Sequence, residues 1–65
     1  MSAHLMEQFK AAAEKAFSAN QLSFSIFGRS FDIVHMHGKE FAVCHDGIEI
    51  VRIFGNIHQF TIMEV

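Results

Sequence analysis

The chain has 65 residues, 51% of them hydrophobic, and seven acidic against five basic side chains give a net charge of −2. This length predicts a single domain, residues 1–65, that buries only about 60% of its unfolded surface. The single cysteine excludes an intramolecular disulfide, and the scattered lysines and arginines form no basic patch for a nucleic acid. A small domain without disulfides needs a metal, self-association or unusually good packing. The large apolar share favours self-association, because so many apolar side chains cannot all fit inside.

The sequence has no pattern typical of export or membrane insertion. No basic region is followed by an apolar run, and no apolar run approaches the ~20 residues that span a bilayer. The lone thiol of Cys44 suits a reducing compartment. We therefore expect a cytoplasmic protein with no membrane partner.

The first segment has the 3.6-residue spacing of an amphipathic helix. Ser2 is a suitable N-cap, and Asn20 is a suitable stop because asparagine tolerates a left-handed backbone. The predicted apolar stripe consists of Leu5, Phe9, Ala12, Ala13, Ala16 and Phe17.

After the helix the apolar period changes to two, which is typical of strands. The short Gly28–Arg29–Ser30 connection and three glycine-containing turns at 38–39, 46–47 and 55–56 separate the predicted strands. These strands are 22–27, 31–37, 40–45, 48–54 and 57–64. The predicted class is α+β, with an N-terminal helix packed on a five-stranded antiparallel meander that is an open sheet or a small barrel.

Two-residue turns fix strand register, so the sheet residues divide into two faces. The face assigned to the helix contains Leu22, Phe24, Ile26, Val34, Met36, Phe41, Val43, Ile48, Ile50, Phe54, Ile57 and Met63. The second face is too apolar to be left in water, so we expect a second copy to cover it unless the sheet closes on itself. The predicted interface residues on this face are Phe27, Phe31, Ile33, Val51, Ile53 and Phe60, with His35, His37 and His58 at the rim.

The stretch HMHGKEFAVCHDG raises the alternative of a metal site. His35 and His37 are two residues apart and would share a face, and Glu40 would lie opposite His37 across the turn. This arrangement supplies three zinc ligands, but within one copy Cys44 and His58 are too distant to be the fourth, so His58 would join only across an oligomer interface. The more ordinary interpretation is that the histidines are polar strand ends, so we expect no cofactor.

No catalytic constellation is evident in the sequence. Cys44 precedes His45, but neighbours on a strand point to opposite faces, so the two cannot form a nucleophile–base pair. We therefore expect a non-enzymatic protein–protein interaction module, most simply a homodimer. Its expected role is that of a small cytoplasmic regulator or inhibitor of another protein, including one encoded by a phage or mobile element.

One stretch supports a different hypothesis. VRIFGNIHQFTI contains an apolar residue, Arg52, Gly55 and an apolar strand, and it resembles the second motif of the Sm-like family. A helix followed by five antiparallel strands is also similar to the Sm-like fold. The resemblance implies an RNA-binding ring, although the Asp and Asn signature of that family's first motif is absent.

Overall fold

The computed structural model describes residues 2–65, which form one helix and one antiparallel sheet curled into a half-barrel. The strands follow one another in chain order across the sheet, so the first and last strands are its two edges. The α+β prediction is confirmed, and the sheet is curled without being closed by strand pairing. The elements are α1 (Ala3–Ser18), β1 (Ser23–Ile26), β2 (Arg29–His37), β3 (Glu40–His45), β4 (Ile48–Asn56) and β5 (Gln59–Glu64).

Helix α1 begins and ends as the sequence predicts. The backbone N–H of Leu5 donates to Ser2 Oγ at 3.2 Å, which satisfies one of the free donors of the first turn. Ala19 closes the last turn, and Asn20 takes the left-handed backbone with φ of 60°. The small Ala13 and Ala16 let the helix lie close to the sheet, while its two phenylalanines pack against phenylalanine rings of the sheet.

A β-bulge in β2 changes the register that the Gly38–Lys39 turn alone would set. His37 lies opposite Glu40 as predicted, but His35 then lies opposite Phe41, so Met36 is an extra residue. Beyond the bulge Ile33 pairs with Val43. Because a one-residue slip exchanges the two faces of a strand, Ile33 faces the helix and Val34 does not.

A second bulge has the same effect on β4. Cys44 lies opposite Glu49, whereas Val43 lies opposite Val51, so Ile50 is the extra residue. Val51 and Ile53 consequently face the interior. The inner face comprises Phe24, Ile26, Phe31, Ile33, Phe41, Val43, Val51, Ile53, Phe60 and Ile62.

The predicted interface residues are therefore corrected. Phe31, Ile33, Val51 and Ile53 are at most 5% exposed and belong to the core beneath the helix, where the two bulges place them. Of the other two, Phe60 is half-buried against Phe17, and Phe27 lies in the β1–β2 turn with 41% of its surface exposed. Several residues that the unbulged register assigned to the helix side are instead exposed: Leu22, Val34, Met36, Ile48 and Met63.

Two turns also differ from the sequence prediction. The first is formed by Phe27 and Gly28, both with positive φ, and Arg29 already belongs to β2. The last lies after Asn56 rather than at Gly55–Asn56, because Asn56 Oδ1 accepts hydrogen bonds from the backbone N–H groups of His58 and Gln59. Gly55 is therefore a strand residue, with an unusual φ of 130°.

Candidate interaction edge and apolar pocket

Strand β5 is a long, regular edge strand. It pairs with β4 through six consecutive residue pairs without a bulge, and no strand among residues 2–65 pairs with its other side. Its central residues, 60–63, are uncharged and rich in β-favouring side chains. Edge strands are usually protected from further pairing by lysine, proline, bulges or short length. β5 has none of these four features.

The opposite edge is better protected. β1 has only four residues, and its inward-facing Phe24 contacts Phe9 of the helix at 5.6 Å between ring centroids. A strand this short offers few backbone groups to a partner. The two edges of the same sheet are therefore unequal.

Two backbone hydrogen bonds near β5 show which of its N–H and C=O groups point toward β4 and which point to the free side. The N–H of Gly55 donates to the carbonyl of Lys39 in the β2–β3 turn, so it does not point toward Phe60, and the N–H of Val65 donates to Ile50. Alternation along an antiparallel ladder then makes Thr61 a residue that hydrogen-bonds to β4, while Phe60 and Ile62 direct their backbone groups to the free side.

The outer face of the sheet is organised around Arg52. Its Nη2 donates to Glu49 Oε1 at 2.7 Å, its Nε donates to the other oxygen of Glu49, and its Nη1 lies 3.4 Å from Glu40. The hydrogen bond from Arg52 lowers the pKa of Glu49, because it stabilises the carboxylate. Arg52 is the arginine of the Sm-like resemblance, and here its donors are engaged by carboxylates.

Cys44 lies on the same outer face between two acids. Asp32 and Glu49 are its partners on the neighbouring strands. Burial raises the pKa of the Cys44 thiol, and the negative charges of Glu49 and Asp32 raise it further. A thiol with a raised pKa is mostly protonated at neutral pH, which makes it a poor nucleophile.

Of the three predicted metal ligands, His37 and Glu40 are brought together but His35 is not. His35 packs on Phe41 on the inner side and its Nε2 donates to the Gly38 carbonyl at 2.8 Å, whereas His37 lies 3.4 Å from Glu40 on the outer side. The bulge at Met36 separates the two histidines, because it breaks the two-residue alternation that would have put them on one face. Among the described residues 2–65, no group of three or more His, Cys, Asp or Glu side chains could hold a metal ion.

An apolar pocket of about 320 Å³ opens at the end of the half-barrel near the helix C-terminus. Buried Phe17 and Ile33 and half-buried Phe41 form part of its wall, and Leu22 and Ile57 contribute further apolar surface. This pocket was not predictable from the sequence. Its residues come from the helix, from β2, β3 and β4, and from the three connections at that end, so no local motif marks it.

The comparisons with known proteins identify no relative. No family model, no curated protein and no solved structure matches this chain. Within residues 2–65, no helix has the length and apolar character needed to cross a membrane. The free edge and the pocket are therefore interpreted from their own geometry.

Proposed function

We propose that this chain is a non-enzymatic protein–protein interaction module that forms a homodimer by antiparallel pairing of two β5 strands. The observation that carries the proposal is the long, unpaired edge of β5, which leaves backbone donors and acceptors available to an identical strand. Pairing around a two-fold axis would join the two sheets into one of ten strands. A two-fold interface uses the same surface of both copies, so this dimer needs no other partner.

The face alternation of β5 restricts the register of this dimer. Directly opposite residues in an antiparallel pair share a face, so inward-facing Phe60 must pair with another inward-facing residue. Pairing Phe60 with Ile62 of the second copy places Thr61 opposite Thr61 at the two-fold axis. Shifting the register by two residues would place Glu64 opposite Phe60. This register is less favourable because a carboxylate would lie beside an aromatic ring.

Three observations support the remainder of the proposal. The protonated thiol of Cys44 and the carboxylate-bound Arg52 favour a binding role over nucleophilic catalysis. A free cysteine suits a reducing, cytoplasmic location. In the proposed role as a small regulator, the homodimer would be the unit that meets a larger protein.

A disulfide trap tests both the dimer and its register. In a Cys44→Ser background, we expect Thr61→Cys to form a covalent dimer on mild oxidation, because opposed residues in a non-hydrogen-bonded pair have Cα atoms about 4.5 Å apart. That separation lies within the roughly 4.4–6.8 Å that a disulfide spans. Met63→Cys in the same background is the matched control, since Met63 would face Gln59 of the second copy and should not cross-link.

The second test introduces a lysine into each of the two edge strands in turn. We expect Thr61→Lys to give a folded monomer by sedimentation, because two ammonium groups would meet at the axis. Ser25→Lys, on the outer face of edge strand β1, should remain dimeric. A wild-type chain that sediments as a monomer at high micromolar concentration would refute the proposal, as would a Thr61→Lys variant that stays dimeric.

A further inference from the structure

The pocket at the open end of the half-barrel has the composition of a ligand site. Phe17 and Ile33 are 4% and 5% exposed, so its wall includes well-ordered core side chains. Leu22, in contrast, is 73% exposed although it lines the same pocket. When an apolar group enters the pocket and covers this exposed leucine, the burial of apolar surface favours binding.

The polar residues that line the pocket have one formal charge. They are Asn20, Gln21, Lys39 and Asn56, and no carboxylate lines the pocket. Lys39 has no carboxylate within 4.0 Å among residues 2–65. Glu40, its neighbour in sequence, is held by Arg52 on the other face of the sheet. The residues that line the pocket are therefore mostly apolar, and Lys39 is the one charged residue among them.

The size of the pocket limits what it can accept. A volume of about 320 Å³ lies at the lower end of the roughly 300–1,000 Å³ typical of small-molecule sites. A single alkyl chain suits this space better than a fused ring system or a dinucleotide. A charged end of negative sign would complement the pocket best, because Lys39 is the only charged residue among those lining it.

We propose that this pocket binds a medium-chain aliphatic monocarboxylate, with the alkyl chain against Phe17, Ile33 and Phe41 and the carboxylate at Lys39. Closure of Leu22 and Ile57 over the chain would bury their exposed surface. The pocket is separate from the β5 edge, so this proposal does not rest on the homodimer. The Thr61→Lys variant should bind the same ligand as the wild-type chain.

The experiment is a titration of the full chain with decanoate, below its micelle concentration, followed by amide NMR shifts and calorimetry. We expect saturable binding at one site, with the largest shifts at the pocket residues. Decanol, which has the same chain and no charge, should bind more weakly than decanoate. Binding that does not saturate, or shifts centred on another surface, would overturn the proposal.

Two variants test the assigned contacts. Lys39→Gln should weaken decanoate binding by about fivefold, the upper end for an exposed ion pair, and leave decanol binding unchanged. Lys15→Gln is the matched control, since Lys15 is also an exposed lysine but does not line the pocket. Leu22→Ala should weaken both ligands. If Lys39→Gln weakened decanoate and decanol equally, or Lys15→Gln acted like Lys39→Gln, the carboxylate assignment would be wrong.

Discussion

At each end of the half-barrel one helix phenylalanine packs against two sheet phenylalanines, but the packing of the rings differs between the two ends. At one end Phe9 of the helix meets Phe31 at 4.8 Å and Phe24 at 5.6 Å between ring centroids. At the other end Phe17 meets two sheet rings, Phe41 and Phe60, each at 4.9 Å. Each end thus has one helix ring between two sheet rings, and the pocket described above adjoins the Phe17 end.

The difference comes from which strands supply the rings. Phe24 and Phe31 are direct partners on neighbouring strands, and their rings also stack on each other at 5.5 Å. Phe41 and Phe60 belong to β3 and β5, with β4 between them, and Gly55 is the β4 residue opposite Phe60. Gly55 contributes no side chain beside these rings, because the β5 backbone lies where its Cβ would be. The same number of phenylalanines therefore closes one end and leaves the other open.

The largest expected effect is at Gly55. A Cβ at this position would lie 2.3 Å from the Gln59 carbonyl oxygen, and φ of 130° is a backbone conformation that favours glycine. We expect Gly55→Ala to cost more than the roughly 1–3 kcal/mol of the backbone conformation alone, because the clash with backbone atoms adds to it. Urea unfolding monitored by circular dichroism measures this loss.

Gly38→Ala is the matched control for that substitution. Gly38 lies at the same end of the molecule and also has positive φ, but an added Cβ would meet no atom within 4 Å. We expect a loss of only about 1–2 kcal/mol. Equal losses for the two variants would contradict the close approach of the β5 backbone to Gly55.

The next largest expected effect is the loss of stability when either of the two helix phenylalanines is truncated. Truncating a buried phenylalanine to alanine costs about 3–5 kcal/mol, and the cost rises with the cavity left behind. We expect Phe9→Ala to cost more than Phe17→Ala, because Phe9 is fully buried within three mutually packed rings while Phe17 already adjoins open space. Denaturant midpoints of the two variants measure the order, and the reverse order would contradict the comparison of the ends.

The smallest expected effect is on the outer face, away from both ends. The pKa of Glu49 is lowered by Arg52, so the folded state binds this proton less readily than the unfolded chain. The stabilisation from this pair is complete above the ordinary glutamate value of 4.5 and is lost as the pH falls through the lower folded value. We expect Glu49→Gln to make unfolding less dependent on pH in this acidic window.

Thermal unfolding at closely spaced acidic pH values tests this expectation. Glu7→Gln is a suitable control, since Glu7 is an exposed helix residue that takes part in none of the ion pairs among residues 2–65. A Glu49→Gln variant with the same acid dependence as Glu7→Gln would show that the Arg52 pair does not stabilise the fold.

The sequence by itself determined the order of the elements and most of their ends. Helical spacing, the Ser2 cap, the left-handed Asn20 and the Asp46–Gly47 turn are local signals, and the structure confirms each of them. The opposition of His37 and Glu40 was also predictable, because only a two-residue turn separates them.

Only the tertiary structure decided which side of the sheet is the interior. The bulges at Met36 and Ile50 each move one residue out of the ladder, and so they turn Ile33, Val51 and Ile53 inward. Strand-spaced apolar residues occupy both faces of β2 and β4, so alternation fits either choice, and the choice follows from packing against Phe9 and Phe17. The free β5 edge and the pocket also depend on tertiary structure. The edge is free because no strand among residues 2–65 pairs with that side of β5, and the pocket is lined by residues that are distant in the sequence.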